Sequence, residues 1–351
     1  MKICFTLSSL SAGGAERVAS SLANQFVSMG HDVSIILVSI DYNNTFYDIN
    51  EKIKVIPLLK SKKDKRSIRR IKLLRKCVLN IKPDIVIAFL PHICIYSFFA
   101  LRNTKIPLIC SERNDPNQYN FIYKKLLKYT FRRCDGCVFQ TSQAKNFYNK
   151  VSENKATIIF NPVSLCLTGK TVRNKEKDKL FISVGRLTPQ KNFSLLINAF
   201  YDFYNNHRDY KLIIFGEGPL RSELEKQISL LGLSESVLLP GTNQNWHDVA
   251  YNASGFISSS NYEGMPNSLE EALCLGCPSI ATNCPVGGSR ELISLLSFGK
   301  LIEPNNKEQM VAEMNRLIME NNNEQNVDYS ALMIDSISKQ WICFIEKILA
   351  N

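Results

Sequence analysis

The chain has 351 residues, 45% of them hydrophobic and 21% charged, a balance that supplies packed cores and excludes a wholly disordered protein. That length leads us to expect two domains of ordinary size. Forty-three Lys and Arg against 32 Asp and Glu leave a formal charge of +11, which points to anionic partners: nucleic acid, acidic membrane or phosphorylated substrates.

In chain order, Lys2–Leu7 reads as a buried strand and Gly14–Met29 as an amphipathic helix carrying Val18, Leu22 and Phe26. Further strands are expected at Val33–Val38, Ile53–Pro57, Ile85–Phe89, Leu108–Ser111, Gly136–Gln140 and Thr157–Phe160, with helices near 67–80, 118–131 and 142–150. The pattern lapses over 161–179, a polar and charged stretch that reads as a linker. It then restarts: Leu180–Val184, helix 192–206, Lys211–Phe215, helix 219–231, Val237–Leu239, helix 245–251, Gly255–Ser258, helix 267–275 and Ser279–Ala281. A last helix over 333–349 follows the polar stretch Asn321–Asn326. Such alternation argues for parallel sheets covered on both faces. The expected division is 1–165, 166–332 and a C-terminal helix in 333–351 that can cross back to the first domain.

The opening residues lack the pattern of a signal peptide. The longest apolar stretch, Ile85 to Leu101, is interrupted by Pro91 and His92 and falls short of a membrane span. The cysteine count is odd, at eleven, in a chain far larger than a disulfide-stapled miniature domain. A reduced, cytoplasmic protein is expected, free to touch a membrane without crossing it.

Three groups of residues carry chemistry. Ser11-Ala12-Gly13-Gly14-Ala15-Glu16 follows the first strand and opens the first helix. A phosphate at a helix N-terminus meets backbone N–H groups and the positive dipole end, and glycines allow close approach. The spacing is not G-x-G-x-x-G, so a nicotinamide dinucleotide is disfavoured; a plain glycine turn is the alternative. Gly185-Arg186-Leu187-Thr188-Pro189-Gln190-Lys191-Asn192 follows the first strand of the second half. There Arg186 and Lys191 stand at the strand's carboxyl end, where ligands of open α/β sheets bind. Two fixed cations suit a departing diphosphate, the alternative being a solvated turn. In Glu263-Gly264-Met265-Pro266-Asn267-Ser268-Leu269-Glu270-Glu271-Ala272, Glu263 lies in a loop and Glu271 eight positions on in the next helix. Pro266 fits the first helical turn, Asn267 or its neighbours can cap it, and the N–H groups of Met265 to Ser268 face an anion. Two carboxylates beside an anion site are poor phosphate ligands and good acceptors for sugar hydroxyls.

Taken together and in order, these residues resemble the retaining, family-4 class of nucleotide-sugar glycosyltransferases, marked by Glu-x7-Glu in the second domain. The likeness also covers Phe215-Gly216-Glu217-Gly218-Pro219, Ser111-Glu112-Arg113-Asn114-Asp115-Pro116 and Cys284-Pro285-Val286-Gly287-Gly288-Ser289-Arg290-Glu291, and so spans nearly the whole chain. It implies an α/β fold of GT-B architecture, two Rossmann-like domains with parallel sheets facing a central cleft, acceptor on the N-terminal one and donor on the C-terminal one. By position, Arg186 and Lys191 would bind the donor diphosphate, Glu263 the donor sugar and Glu271 the ribose. Gly13 and Gly14 would close over the diphosphate, Gly216 and Glu217 would lie near the base, and Met265, Pro266, Asn267 and Ser268 would complete the donor site. His92 would orient a donor or acceptor hydroxyl, a helix-start histidine being the alternative. Glu112 and Arg113 would stand on the acceptor side. Retention would proceed by front-face attack without a protein nucleophile. No cofactor is implied. No two aspartates have D-x-D spacing, so no metal is expected either.

Cys134-Asp135-Gly136-Cys137 and Cys274-Leu275-Gly276-Cys277 are too far apart for a zinc ribbon and read as core. Lys60–Lys76 carries ten cations and one anion in seventeen residues, with Ile68, Ile71 and Leu74 at helical spacing. Tyr123–Arg133 mixes five cations with Leu126, Leu127, Tyr129 and Phe131. Both suit an anionic membrane surface; no nucleic-acid motif supports the rival partner. The expected function is transfer of a hexose or N-acetylhexosamine from a nucleotide sugar, UDP-linked, onto a lipid-linked glycan of surface polysaccharide synthesis at the inner face of the membrane. The alternatives are another GT-B enzyme (a sugar-nucleotide epimerase or hydrolase, or a soluble disaccharide synthase) and a non-catalytic basic binding protein.

Overall fold

The structure, a computed structural model, describes residues 1–11, 13–39, 46–59, 67–163, 165, 177–243, 245–320 and 327–350. The chain divides into two compact units, Met1–Pro162 with Ala331–Asn351, and Val163–Ser330.

The first unit is built on β1 (Lys2–Leu7), β2 (Asp32–Leu37), β3 (Lys54–Pro57), β4 (Ile85–Phe89), β5 (Leu108–Ser111), β6 (Gly136–Phe139) and β7 (Ala156–Ile158), ordered β3-β2-β1-β4-β5-β6-β7. Every pairing is parallel. Its strands are near-continuous apolar runs because both faces are covered. Ile3, Phe5 and Leu7 of β1 enter one core while Cys4 enters the other, as the two-residue period of a strand requires. Helices α1 (Gly14–Ser28), α2 (Ser67–Ile81), α3 (Pro91–Leu101), α4 (Phe121–Arg133) and α5 (Ser142–Phe147) connect the strands. α3 packs between α2 and α4.

The second unit has six strands, β8 (Asp178–Val184), β9 (Lys211–Phe215), β10 (Val237–Gly241), β11 (Ala253–Ser258), β12 (Ser279–Thr282) and β13 (Lys300–Ile302), ordered β10-β9-β8-β11-β12-β13. They too are all parallel. The helices are α6 (Phe193–Tyr204), α7 (Arg221–Leu230), α8 (Trp246–Asn252), α9 (Asn267–Cys274), α10 (Gly288–Leu296) and α11 (Lys307–Met319). A final helix, α12 (Ile334–Leu349), belongs to the first unit, where Ile337, Trp341, Phe344, Ile345 and Ile348 join the α1 side of the core.

Several elements differ from the sequence expectations. α3 occupies a stretch whose helical reading is limited to His92 as a helix-start alternative, because its residues are apolar on nearly every face and Pro91 looked like a breaker. Pro91 instead stands at the first helical position, where a missing N–H removes no helical bond. α10, β13 and α11 extend the second unit beyond the last strand read, and the Met310, Met314 and Leu317 spacing of α11 is buried. Pro266 does not enter α9: it is the residue before the helix, Asn267 is the first helical residue, and no side chain caps that end. α4 starts at Phe121, after a short 3-10 turn over Pro116–Gln118. Most of the expected linker, Lys60–Arg66 of the first basic run and Asn321–Asn326 lie outside the described residues.

Candidate active site

In an open parallel sheet, ligands bind outside the carboxyl ends of the strands where the strand order reverses. In the second unit that reversal falls between β8 and β11, and in the first between β1 and β4.

The β8–α6 turn and the β11–α9 loop flank the second reversal and are bonded to each other. Lys191 Nζ lies 2.6 Å from Glu263 Oε1, with side chains 18% and 10% exposed. Ser260 Oγ donates to the same carboxylate oxygen at 2.8 Å and Gln190 Nε2 to the other at 3.3 Å. Behind them, Ser259 Oγ donates to the Lys191 carbonyl, Asn261 N to the Gln190 carbonyl and Asn261 Nδ2 to the Pro189 carbonyl. Asn192, at φ +50°, reaches Asn261 and Asn305 through its amide. Asparagine tolerates this left-handed conformation better than most residues. Lys191 lies across Gly185, where a Cβ would press on its stem. Arg186 is exposed on the same turn; its carbonyl accepts from Thr188 N at 2.8 Å, and its guanidinium meets no partner among the described residues.

Two glycines lock the neighbouring loops. A Cβ on Gly216 would overlap the Gly185 carbonyl oxygen, and one on Gly288 would overlap the Gly264 carbonyl oxygen. The β9–α7 turn therefore closes directly on the Arg186 turn, and the start of α10 on the Glu263 loop. Glu217, exposed after Gly216, bonds Arg221 Nε at 2.8 Å, and the guanidinium holds its carboxyl below the usual range.

Glu271 lies one helical turn inside α9, almost wholly buried. Its Oε2 is 2.7 Å from His247 Nε2, and His247, on α8, is buried beneath Trp246, with ring centroids 4.3 Å apart. Nothing in the spacing of the sequence marked His247, Ser260 or Gln190, because their roles follow from the strand order and not from a motif. Met265 is buried, Asn267 opens α9, and Ser268 Oγ donates to the Val184 carbonyl.

In the first unit, Gly13 precedes α1 and Gly14 begins it. The Glu16 carboxylate lies over Gly13, where a Cβ would overlap it, and Tyr47 Oη donates to the Gly13 carbonyl at 3.1 Å. Across the reversal, Leu90 adopts φ +76°, a strained conformation for a side-chain-bearing residue. The chain turns there from β4 into α3, and His92 falls in the first turn of α3. Burial, with the Arg70 guanidinium adding to it, lowers the His92 pKa, so the ring is neutral at pH 7.

Glu112 and Arg113 lie inside this unit, at 1% and 6% exposure. Glu112 accepts from Tyr148 Oη at 2.5 Å and from the backbone N–H groups of Arg113 and Asn114 at 3.1 Å each. Burial outweighs these bonds and pushes its pKa up to about 7. Arg113 stacks on Phe89 and Trp341, 4.6 and 5.7 Å from the ring centroids, and donates to Asn161 Oδ1 at 2.7 Å. These two residues hold the loop after β5 from within.

On the α2–α3–α4 layer, Leu74 and Val78 of α2 and Leu127 and Phe131 of α4 are buried. Ile68 of α2 is 71% exposed, and on α4 Phe121 and Ile122, 69% and 79% exposed, precede Lys124, Lys125 and Lys128, with Lys125 lying over the Phe121 ring. Cys134 Sγ and Cys137 Sγ are 3.4 Å apart in the core of the first unit that Cys4 enters, while Cys274 and Cys277 are buried in the other unit. Among the described residues no helix is long and apolar enough to cross a membrane.

Two family models match the chain: "Glycosyltransferase Family 4" over residues 12–166 and "Glycosyl transferases group 1" over 169–332. The chain is 33% identical, over 94% of its length and 96% of the other's, to an uncharacterized glycosyltransferase of Haemophilus influenzae. It is 30% identical, over 88% of each chain, to the Campylobacter jejuni N-acetylgalactosamine-N,N'-diacetylbacillosaminyl-diphospho-undecaprenol 4-alpha-N-acetylgalactosaminyltransferase. Its fold matches that of Anabaena HepE, solved with UDP and glucose, with a TM-score of 0.78 over 99% of both chains at 17% identity.

Proposed function

We propose that this chain, which belongs to the glycosyltransferases and has their GT-B fold, moves a hexose or N-acetylhexosamine from a UDP-sugar onto a lipid-linked glycan, with retention of configuration and without a metal. The observation that carries this reading is the Lys191–Glu263 bond across the strand reversal of the second sheet. It brings a cation and a hydroxyl acceptor together where a sugar diphosphate would lie. As the bond between the anomeric carbon and the diphosphate oxygen breaks, negative charge grows on the leaving group. Arg186 and Lys191 stabilise that charge, and the N–H groups at the start of α9, beside Met265 to Ser268, add to it. Glu263 accepts from sugar hydroxyls and Glu271 from the ribose, and the Gly216–Glu217 turn borders the base. In the first unit, the α1 N-terminus at Gly13 and Gly14 takes an anion once the Glu16 carboxylate that lies over Gly13 swings aside, and neutral His92 accepts from or donates to a hydroxyl. Glu112 and Arg113 keep the acceptor-side loop in place.

UDP bound to HepE and the diphospho-undecaprenol acceptor of the Campylobacter relative support the donor and acceptor classes. The basic α2 and α4, with Phe121 and Ile122 projecting beside their cations, support peripheral attachment to an anionic membrane surface. Thermal stabilisation by UDP, GDP and ADP without added metal tests the donor: a ligand at 100 times its Kd adds about 2.7 kcal/mol. Stabilisation by UDP that disappears in Glu271→Gln is expected; equal response to all three, or to none, overturns the UDP assignment.

A further inference from the structure

We infer that His247 is a positioning residue that sets the chain's preference for a ribonucleotide donor. The inference rests on the reading of Glu271 as the ribose acceptor and adds to it the group that orients that acceptor.

The terminal torsion of a glutamate is broad, so a carboxylate left to itself presents either oxygen over a wide arc. At Glu271 this freedom is removed. His247 Nε2 stands 2.7 Å from Oε2, and the two side chains are 5% and 1% exposed; with Glu271 ionised, as the ribose reading takes it, the carboxylate only accepts and Nε2 is the donor. The imidazole is itself fixed: Trp246 stacks on it with an interplanar angle of 28°, and Trp246 packs on Phe256 of β11, the strand that leads to Glu263. α8 and α9 are thus joined through the buried His247–Glu271 bond. The plane of the Glu271 carboxylate is set before any nucleotide arrives.

A pre-set acceptor has a specificity consequence. A site built to bond a hydroxyl discriminates against the analogue that lacks it, because its own polar group is then left unmet. A carboxylate free to turn away loses that penalty. His247 therefore acts less on how tightly nucleotide binds in general than on the difference between a ribose and a deoxyribose.

The test is titration calorimetry with UDP and 2′-dUDP on the full chain and on His247→Phe, His247→Gln and Glu271→Gln. His247→Phe keeps ring and stacking but has no donor; His247→Gln keeps an N–H. The expected result is a UDP to dUDP affinity ratio that falls by about tenfold or more in His247→Phe and returns to within about threefold of the parent in His247→Gln. Where the Phe variant does not fold, His247→Met serves as the donor-free partner. A parental ratio in the donor-free variant overturns the role of His247, as does a loss that His247→Gln does not restore. A Glu271→Gln variant with parental UDP affinity and ratio overturns instead the ribose reading on which the inference rests, so the two failures are distinguishable.

Discussion

The ammonium of Lys191 and the carboxylate of Glu263 meet at 2.6 Å although they come from loops after different strands, β8 and β11. The parallel strand order alone makes those loops neighbours. Lys191→Met leaves Glu263 to Ser260 and Gln190, and Glu263→Gln leaves the lysine without its counter-charge. Both variants are expected to lower sugar transfer by roughly 10²–10³. Lys191→Met also lowers the melting temperature, since an uncompensated carboxylate stays largely buried. Nucleotide release from the proposed UDP-sugar donor, followed beside thermal melting, reads both; near-parental turnover in either variant removes the pair from the chemistry.

Gly288→Ala tests whether the Glu263 loop is held by backbone contact. The new Cβ would overlap the Gly264 carbonyl oxygen, and backbone cannot swing aside as a side chain does. A loss of about 1–3 kcal/mol or more in denaturant unfolding is expected, accompanied by weaker donor binding. Gly30→Ala, where nothing lies within 4 Å of the added atom and the strain is conformational only, is expected to leave donor binding at the parental value.

Glu112 gives the first unit a pH signature. Its pKa, about 7 in the fold, lies above the ordinary carboxylate value, so the folded state holds the proton that the unfolded chain has released. The associated stability is complete below about pH 4.5 and declines as the pH rises toward 7, by about 3 kcal/mol. Melting curves between pH 4.5 and 8 should show this slope in the parent and its loss in Glu112→Gln; parallel curves would place the titration elsewhere.

The proposed membrane-facing surface is tested by changing Lys124, Lys125 and Lys128 together to Gln. At about 1 kcal/mol per cation near an anionic surface, binding to phosphatidylglycerol-containing vesicles should weaken by roughly a hundredfold. Phe121→Ser with Ile122→Ser should weaken it further without changing melting, because both side chains are exposed. Equal flotation of parent and variants, or equal binding to purely zwitterionic vesicles, speaks against this face.

The sequence was most legible where a residue's role is local. Glycine turns after strands, the alternation of strand and helix, and the spacing of Glu263 and Glu271 could be read directly, and the parallel sheets follow from them. What escaped reading was set by surroundings. α3 is apolar on nearly all sides because α2 and α4 cover its flanks, so no period marked it. Glu112 and Arg113 were placed on the acceptor side by resemblance, and nothing local showed that they are buried, where the Tyr148 hydroxyl, the backbone N–H groups of Arg113 and Asn114, the Asn161 amide and the rings of Phe89 and Trp341 meet them. His247 looked like any helix residue until the strand order brought it to Glu271.

The return of α12 to the first unit reverses the order in which the two cores can be finished. A ribosome releases Val163–Ser330 before Ile334–Leu349, so the second core has all its residues while the first still lacks Trp341, Phe344 and Ile345. During that interval Phe89 is without the indole that stacks on it at 5.8 Å, and Arg113 has only one of its two aromatic partners. The core begun first during synthesis is thus the last to be completed.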